Sequence, residues 1–458
     1  YLELAEKDVT IPQVLLPFNL ERDYSSDNDS KGYFGEGWAT SLDARLQMYA
    51  EFAIGESRID GSVQSYEFVK EDPDAYVTEY DNDLMTNYEL HKGYYESPEN
   101  GDKLTRISQF EYVVETKDGT KYTYYGYYAP WRENQDPKIG KIIKQTDRYN
   151  NAIFYDYDNQ GRLIEMKDDS GRTVEFKWAD NVISEIVDPE NKRIQFSYSN
   201  TQLVKVQTVG SKQSTSYAYD SNGRISAITN GEGESLSFTY DSNDRVTTVK
   251  NPTGKLLYTY TYSTDSAGEL TKTLKKNASG HTWTYNIEND NVVEVVNPNN
   301  EKINFTYNEN GNIVKKVSNI GTETFTYDNQ NRMTTETDIF GVTTTYTYQD
   351  PWNVPKTITR SNGQSIVYEY DHIGNLQKKV ENGVESYFGY NNKGRIIWAK
   401  YASNSQTIFK YDEFGNLENS QNSKSENTNY TFDKLGVIKS IQEPNGYKES
   451  YLYDEAGN

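Results

Sequence analysis

The sequence predicts an all-β protein made of tandem antiparallel β-hairpin repeats of about 21 residues, joined into a curved or spiral β-shell. Three observations carry that expectation. A period runs through about two-thirds of the chain, aromatic and small polar residues alternate within each period, and turn-forming residues close both ends of every hairpin.

The period is clearest in Tyr-Asp/Asn-x-x-Gly-Arg/Asn-aliphatic strings. Tyr157-Asp158 is followed by Gly161-Arg162-Leu163, Tyr219-Asp220 by Gly223-Arg224-Ile225, and Tyr411-Asp412 by Gly415-Asn416-Leu417. Further copies open at Tyr307, with Gly311, at Tyr370, with Gly374, and at Tyr390 and Tyr453. Aromatic anchors continue the spacing at Trp178, Tyr198, Tyr240, Tyr262, Tyr285, Tyr327, Tyr348 and Phe432. We assign Tyr157, Gly161, Tyr219, Gly223, Tyr307, Gly311, Tyr370, Gly374, Tyr411 and Gly415 as the structural residues of the repeat.

Strings such as Phe238-Thr239-Tyr240 and Phe305-Thr306-Tyr307 have the period of two expected of a half-buried strand. The Asp or Asn opens a turn because its side chain bonds the backbone two residues on, and Gly closes it where φ is positive. Asp244 and Asn331 replace that glycine in two copies. Both residue types tolerate the left-handed conformation, so the replacement follows backbone geometry. A second turn recurs half a period later, in Asp188-Pro189-Glu190-Asn191, Asn251-Pro252-Thr253-Gly254, Asn297-Pro298-Asn299-Asn300 and Glu443-Pro444-Asn445-Gly446. Fifteen repeats therefore give about 30 strands, too many for an open twisted sheet, which must curl, split or spiral. A single closed lap would be hollow, and a stacked β-solenoid is the competing form.

Composition limits the chemistry. Among 458 residues there are 41 Tyr and 6 Trp, enough aromatic surface to build a core where aliphatic residues are sparse. A net charge of -22 opposes a phosphate backbone, so nucleic acid is not an expected partner. There is no cysteine, which removes disulfides, thiol catalysis and cysteine-ligated metals. His91, His281 and His372 occupy unrelated repeat phases and have no nucleophile beside them, so they read as surface or packing residues. Asp156-Tyr157-Asp158 with Gly161, and Asp27-Asn28-Asp29 with Gly32, begin like calcium loops. Their twelfth positions are Lys167 and Trp38 in place of a bidentate Glu, so neither is an EF-hand. No catalytic, cofactor-binding or metal-binding residue is assigned, and no cofactor is expected. No apolar run reaches the roughly 20 residues of a membrane helix.

The Tyr-Asp-x-x-Gly-Arg-Leu pattern resembles the YD repeat of Rhs proteins, toxin-complex cocoon subunits and teneurins, over about residues 107–458. Upstream, Ile11-Pro12, Leu15-Leu16-Pro17, Leu20-Glu21-Arg22-Asp23-Tyr24 and Phe34-Gly35-Glu36-Gly37-Trp38 resemble the module that opens the repeat region in bacterial Rhs proteins, and Asp147-Arg148-Tyr149-Asn150-Asn151 resembles the linker into the first repeat. The expected division is a β-rich N-terminal module at 1–106 and a YD/Rhs repeat region at 107–458. A preference for Lys over Arg, with abundant Asn and Tyr, is closest to the Gram-positive wall-associated members.

The resemblance implies a shell segment of a secreted, cell-wall-associated polymorphic toxin, without catalytic activity of its own, that encloses and presents a C-terminal toxin domain in contact-dependent competition. Tyr1 in place of Met and a final residue, Asn458, inside a repeat are expected of a piece of a longer chain. The Asp-Pro-x-Gly-Leu motif that closes such shells is absent, so no autoproteolytic residue carries over. The alternative is a cell-wall glycan-binding or adhesive array, in which rows of exposed Tyr stack on sugar rings. The burial of Tyr separates the two readings.

Overall fold

The computed structural model describes residues 1–11, 18–28, 30–40, 42, 44–50, 53–57, 63–70, 76–81, 86–91, 93–98, 101–108, 110–126, 136–403 and 405–453. Pro12, Leu15, Leu16, Pro17, Asp29, Asp454 and Asn458 lie outside the described residues, as does the side chain of His91. The described residues contain no α-helix.

One antiparallel sheet of 37 strands runs from Arg45–Ala50 to Lys448–Ser450, each strand pairing with the next along the sheet. Among the described residues no ladder joins its two end strands, so the sheet does not close on itself end to end. It begins as a small ring. The outer edge of Arg45–Ala50 returns to the chain before Ile142–Thr146, where Arg45 bridges Lys141 and the Leu46 N–H donates to the Gly140 carbonyl at 2.8 Å. Leu46, Ile54, Tyr66, Leu104, Val114, Tyr124 and Ile142 fill this ring and are fully buried. A buried carboxylate, Glu56, lies among them and accepts hydrogen bonds at 2.6 Å from the hydroxyls of Tyr66 and Tyr124. Burial and that carboxylate raise the Tyr124 hydroxyl well above its usual range, so it stays a donor.

From Ala152–Tyr157 onward the strands are regular and alternate as the sequence requires. In Lys302–Tyr307, Phe305 and Tyr307 are half-buried on one face and Thr306 is exposed on the other. Threonine hydroxyls pair across the exposed face, for example Thr326 with Thr335 at 2.6 Å and Thr347 with Thr357 at 2.7 Å. The two turn types give the sheet two rims. YD turns such as 158–162 and 220–224 form one rim, and half-repeat turns such as 147–151 and 168–172 form the other.

The sheet spirals, because turns far apart in sequence are stacked. The Arg148 guanidinium donates to the Gly374 carbonyl at 3.1 Å and the Tyr149 hydroxyl donates to Asn375. The Asn151 amide donates to the Lys393 carbonyl at 3.3 Å, and Lys393 pairs with Asp169. Further along, Arg172 donates to the Lys434 carbonyl at 3.1 Å and the Lys434 N–H donates to Glu190 at 2.8 Å. In each case a YD turn of the second lap rests on a half-repeat turn of the first. A lap thus takes about 22 strands, a circumference of about 105 Å and a diameter of about 35 Å. Side chains fill the interior of a barrel of about 8 strands, so a lap of this width is hollow. A stacked solenoid of one repeat per coil is excluded by the continuous ladder.

Candidate functional site

The repeat unit is the most organised chemistry in the molecule. In the turn 220–224, the Gly223 N–H donates to the Asp220 carbonyl at 3.1 Å and the Asp220 N–H donates to the Arg224 carbonyl at 2.8 Å. This is a type I turn followed by a left-handed residue, the commonest three-residue hairpin loop. Gly223 has φ 84°, while Asp244 and Asn331, in the glycine's place, both have φ 60°. The Asp220 carboxylate accepts the N–H of Asn222 at 2.9 Å and of Arg224 at 3.0 Å, and the Arg224 guanidinium at 2.7 Å. Burial alone would raise this carboxyl, but the hydrogen bonds from Arg224 and the turn backbone outweigh it and hold the group below its ordinary value.

Each unit also grips its neighbour. Arg224 reaches the next YD turn, donating to the Asp241 carbonyl at 2.9 Å and to the Asp244 carboxylate at 2.8 Å. Its guanidinium lies 4.5 Å from the ring centroid of Tyr240, and the same stacking joins Arg245 to Tyr262 and Arg332 to Tyr348. The tyrosine hydroxyl then donates backwards to a carbonyl just after the previous turn. Tyr157 does so to Ile142 at 2.8 Å, Tyr219 to Leu203 at 2.7 Å, Tyr307 to Val292 at 2.8 Å, Tyr370 to Pro355 at 2.6 Å and Tyr411 to Ile396 at 2.7 Å. The ladder between Leu163–Asp168 and Thr173–Ala179 first pairs Glu165 with Glu175, so it stops short of Leu163; there the Trp178 indole N–H donates to the Leu163 carbonyl at 2.7 Å. The aromatic therefore completes the backbone pairing between repeats. Gly161, Gly311, Gly374 and Gly415 hold φ of 73°, 78°, 82° and 87°.

Sequence reasoning gave these tyrosines a packing role and did not assign the arginines one. The signal was present: where Arg follows the turn, as at 162, 224, 245 and 332, an aromatic stands about 16 residues further on.

The N-terminal strands cover the beginning of the YD rim of the first lap, from Ile183 to Asp244. Ser26 donates to the Asp244 carbonyl at 2.8 Å, Glu36 N–H donates to the Thr201 carbonyl at 3.0 Å, and Ile225 N–H donates to the Tyr24 hydroxyl at 2.9 Å. A Cβ on Gly35 would lie 2.3 Å from the Thr201 oxygen, so no other residue fits that contact. Trp38 packs on Tyr217 with ring centroids 5.2 Å apart, and Phe34 on Phe196 at 5.0 Å. Arg22, itself buried, lies within cation–π distance of Phe34, Trp38 and Phe196, at 5.5, 4.9 and 5.4 Å, and is paired with Asp8 at 3.0 Å. Of the motif residues upstream of the repeats, Arg22, Tyr24, Phe34, Gly35, Glu36 and Trp38 thus form a contact surface that seats this module on the shell.

Among the described residues, no three His, Asp or Glu side chains converge on a metal-sized site. His281 and His372 are exposed. A polar cleft of about 800 Å³ lies between Ser97 and Asp102, the turn 116–120 and the YD turns near Asn331 and Asn353, lined by Glu67, Glu96, Asp118 and Lys117. It belongs to the seam between laps. No helix of the described residues is long and apolar enough to cross a membrane.

Interlocked hairpins, two rims and a covered end define a β-hairpin shell. Residues 190–319 and 284–381 match the Teneurin YD-shell family, and residues 1–66 match a domain of unknown function, DUF6531. The two matches, with the repeat geometry, support a YD/Rhs-repeat shell protein. It is similar to a chain of the Photorhabdus luminescens Tc holotoxin pore at 12% identity, over 98% of this chain and 30% of that one, with a TM-score of 0.43. It is also similar to a TcdB2–TccC3 structure at 11% identity, over 96% of this chain and 29% of that one, with a TM-score of 0.44. The chain spans about 30% of the length of the solved chain it matches. No curated protein matches the sequence.

Proposed function

We propose that this chain is a non-catalytic segment of the shell of a secreted polymorphic toxin, which encapsulates a C-terminal effector of the same parent protein and presents it in contact-dependent competition. The observation that carries the reading is a hollow lap about 35 Å across whose repeat tyrosines are spent on inter-repeat bonds. The ten residues Tyr157, Gly161, Tyr219, Gly223, Tyr307, Gly311, Tyr370, Gly374, Tyr411 and Gly415 then act as structural residues of the wall. The division into a module at 1–106 that opens the shell and a repeat region at 107–458 accompanies this reading, supported by the placement of the two family matches. Secretion and association with the cell wall belong to the same proposal.

The glycan-binding alternative is disfavoured by the repeat tyrosines. From Tyr157 to Tyr411 they are buried or half-buried, whereas Tyr453 is exposed; among other exposed aromatics Phe340, Tyr401 and Tyr447 sit at turns, and Phe154 stands in the strand Ala152–Tyr157. Nuclease, glycosidase and glycan-array assays on the same purified chain decide between them. No turnover and no glycan binding is the expected result. Glycan binding at about micromolar affinity would overturn the shell reading in favour of the array.

A further inference from the structure

The seam between laps is built differently from the junctions inside a lap. Within a lap, neighbouring strands share a backbone ladder, as where Val384–Tyr390 pairs with Ile396–Lys400. Across the seam, each hydrogen bond has a side chain on at least one bank, as in those from Arg148 to the Gly374 carbonyl and from the Lys434 N–H to Glu190. Among the described residues no backbone-to-backbone hydrogen bond joins the half-repeat turns 147–192 to the YD turns 371–437.

The apolar core also stops short of the seam. Its buried cluster runs from Val9 to Ile225, and among the described residues of the second lap only the half-buried Leu435 packs against it. What the seam buries is largely polar: Asn151, Arg172 and Asn375, beside the Tyr149 ring. Two of its guanidiniums are incompletely paired, since Arg148 Nε and Arg172 Nη2 are buried without a hydrogen-bond partner. Closed laps keep both atoms from water, and parted laps return them to it. A polar, hydrogen-bonded contact is typical of parts that move against one another, whereas apolar packing is typical of parts that stay together.

We propose that the wall opens along this seam, the YD turns 371–437 lifting off the half-repeat turns 147–192 as one strip while the strand ladders on both banks stay paired. The seam is then a lateral gate, an opening in the wall that requires no repeat to unfold. What passes through it rests on the shell reading. Whether the laps part does not, so the test below and the glycan and turnover assays fail independently.

Thiol labelling of the full chain tests the gate, because the sequence has no cysteine and each introduced thiol stands alone. Asn375→Cys places a thiol on the seam beside the Tyr149 hydroxyl, and Ala399→Cys places one within the ladder of the same lap, at a residue 2% exposed. The seam thiol is expected to react at least about tenfold faster than the ladder thiol. Lys393→Asp sets two carboxylates against each other across the seam, at Asp169, and should speed labelling of Asn375→Cys by about threefold or more. Adding Asp169→Lys should reverse that gain, and Ala399→Cys should respond to neither change. If Asn375→Cys does not fold, Asn151→Cys on the opposite bank gives the same reading. Equal rates at the seam and ladder thiols overturn the proposal, because the seam then opens only when the wall unfolds. So does a fast rate at the seam thiol that Lys393→Asp leaves unchanged, which would assign the exposure to fraying of a single turn.

Discussion

The hydroxyl of Tyr149 donates to the side chain of Asn375, 226 positions away in the sequence. Both residues are buried, and the Arg148 guanidinium beside them lies 5.1 Å from the Trp352 ring. One residue at a turn tip is thereby among those that join two laps of sheet. Tyr149→Ala is expected to raise amide exchange in Ser365–Tyr370 and Val384–Tyr390 while leaving Lys302–Tyr307 unchanged. Uniform protection across all three strands would show that the seam carries no stability.

Gly223 tests the turn. Its φ is 84°, and a Cβ there would meet only the far end of Gln202 at 3.5 Å, so space is not limiting and backbone strain is. Gly223→Val should destabilise its hairpin by more than about 1 kcal/mol and Gly223→Asn by only a few tenths. Local hydrogen exchange in Ser214–Tyr219 and Ile225–Asn230 reads the difference; equal effects from both variants contradict the assignment.

Arg224 and Tyr240 should behave as one unit. The guanidinium stacks on the ring while the Tyr240 hydroxyl donates to the Ile225 carbonyl, beside the turn that Arg224 braces. Arg224→Met and Tyr240→Phe are each expected to cost about 1 kcal/mol, and the pair less than the sum. A double-mutant cycle with full additivity would show that the two contacts are independent.

Acid should loosen the shell in a defined window. The Arg193 guanidinium, together with Lys177 and Gln195, outweighs burial and holds the Glu185 carboxyl at about 2, against an ordinary value of 4.5. A carboxyl depressed on folding contributes stability that is complete above its unfolded value and is lost as pH falls through the folded one. The turn carboxyls Asp158, Asp241 and Asp328 are also depressed, their hydrogen bonds from the following Arg outweighing burial. The thermal midpoint should therefore fall between about pH 4.5 and 2, with Glu185→Gln reducing the slope. A midpoint that is flat across that range rejects the account.

Hairpins, turns and period were legible because each depends on residues within about 21 positions of one another. Asp220, Gly223 and the alternation around Tyr240 announce local backbone geometry, so a single period suffices to read them. The Arg224–Tyr240 contact was within reach of the same reading but needs two repeats compared side by side. The seam was not legible. Tyr149 has the same type of neighbours as any turn residue, and its partner is set by how much each strand pair twists, summed over a lap of about 22 strands. The seating of Trp38 on Tyr217 was hidden for a similar reason: the motif Phe34-Gly35-Glu36-Gly37-Trp38 states its own shape but not the surface that receives it.

The seam changes how damage spreads. In a linear array of repeats each unit is held only by the one before and the one after, so a single broken hairpin divides the array into two pieces that fail separately. Here a hairpin near Lys393 also hangs from Asn151 and Asp169 in the lap below, through bonds that bypass more than two hundred intervening residues. A strand lost between them leaves a hole with intact cloth on every side, as a dropped stitch does in a knitted tube, and the wall keeps its shape while that strand refolds.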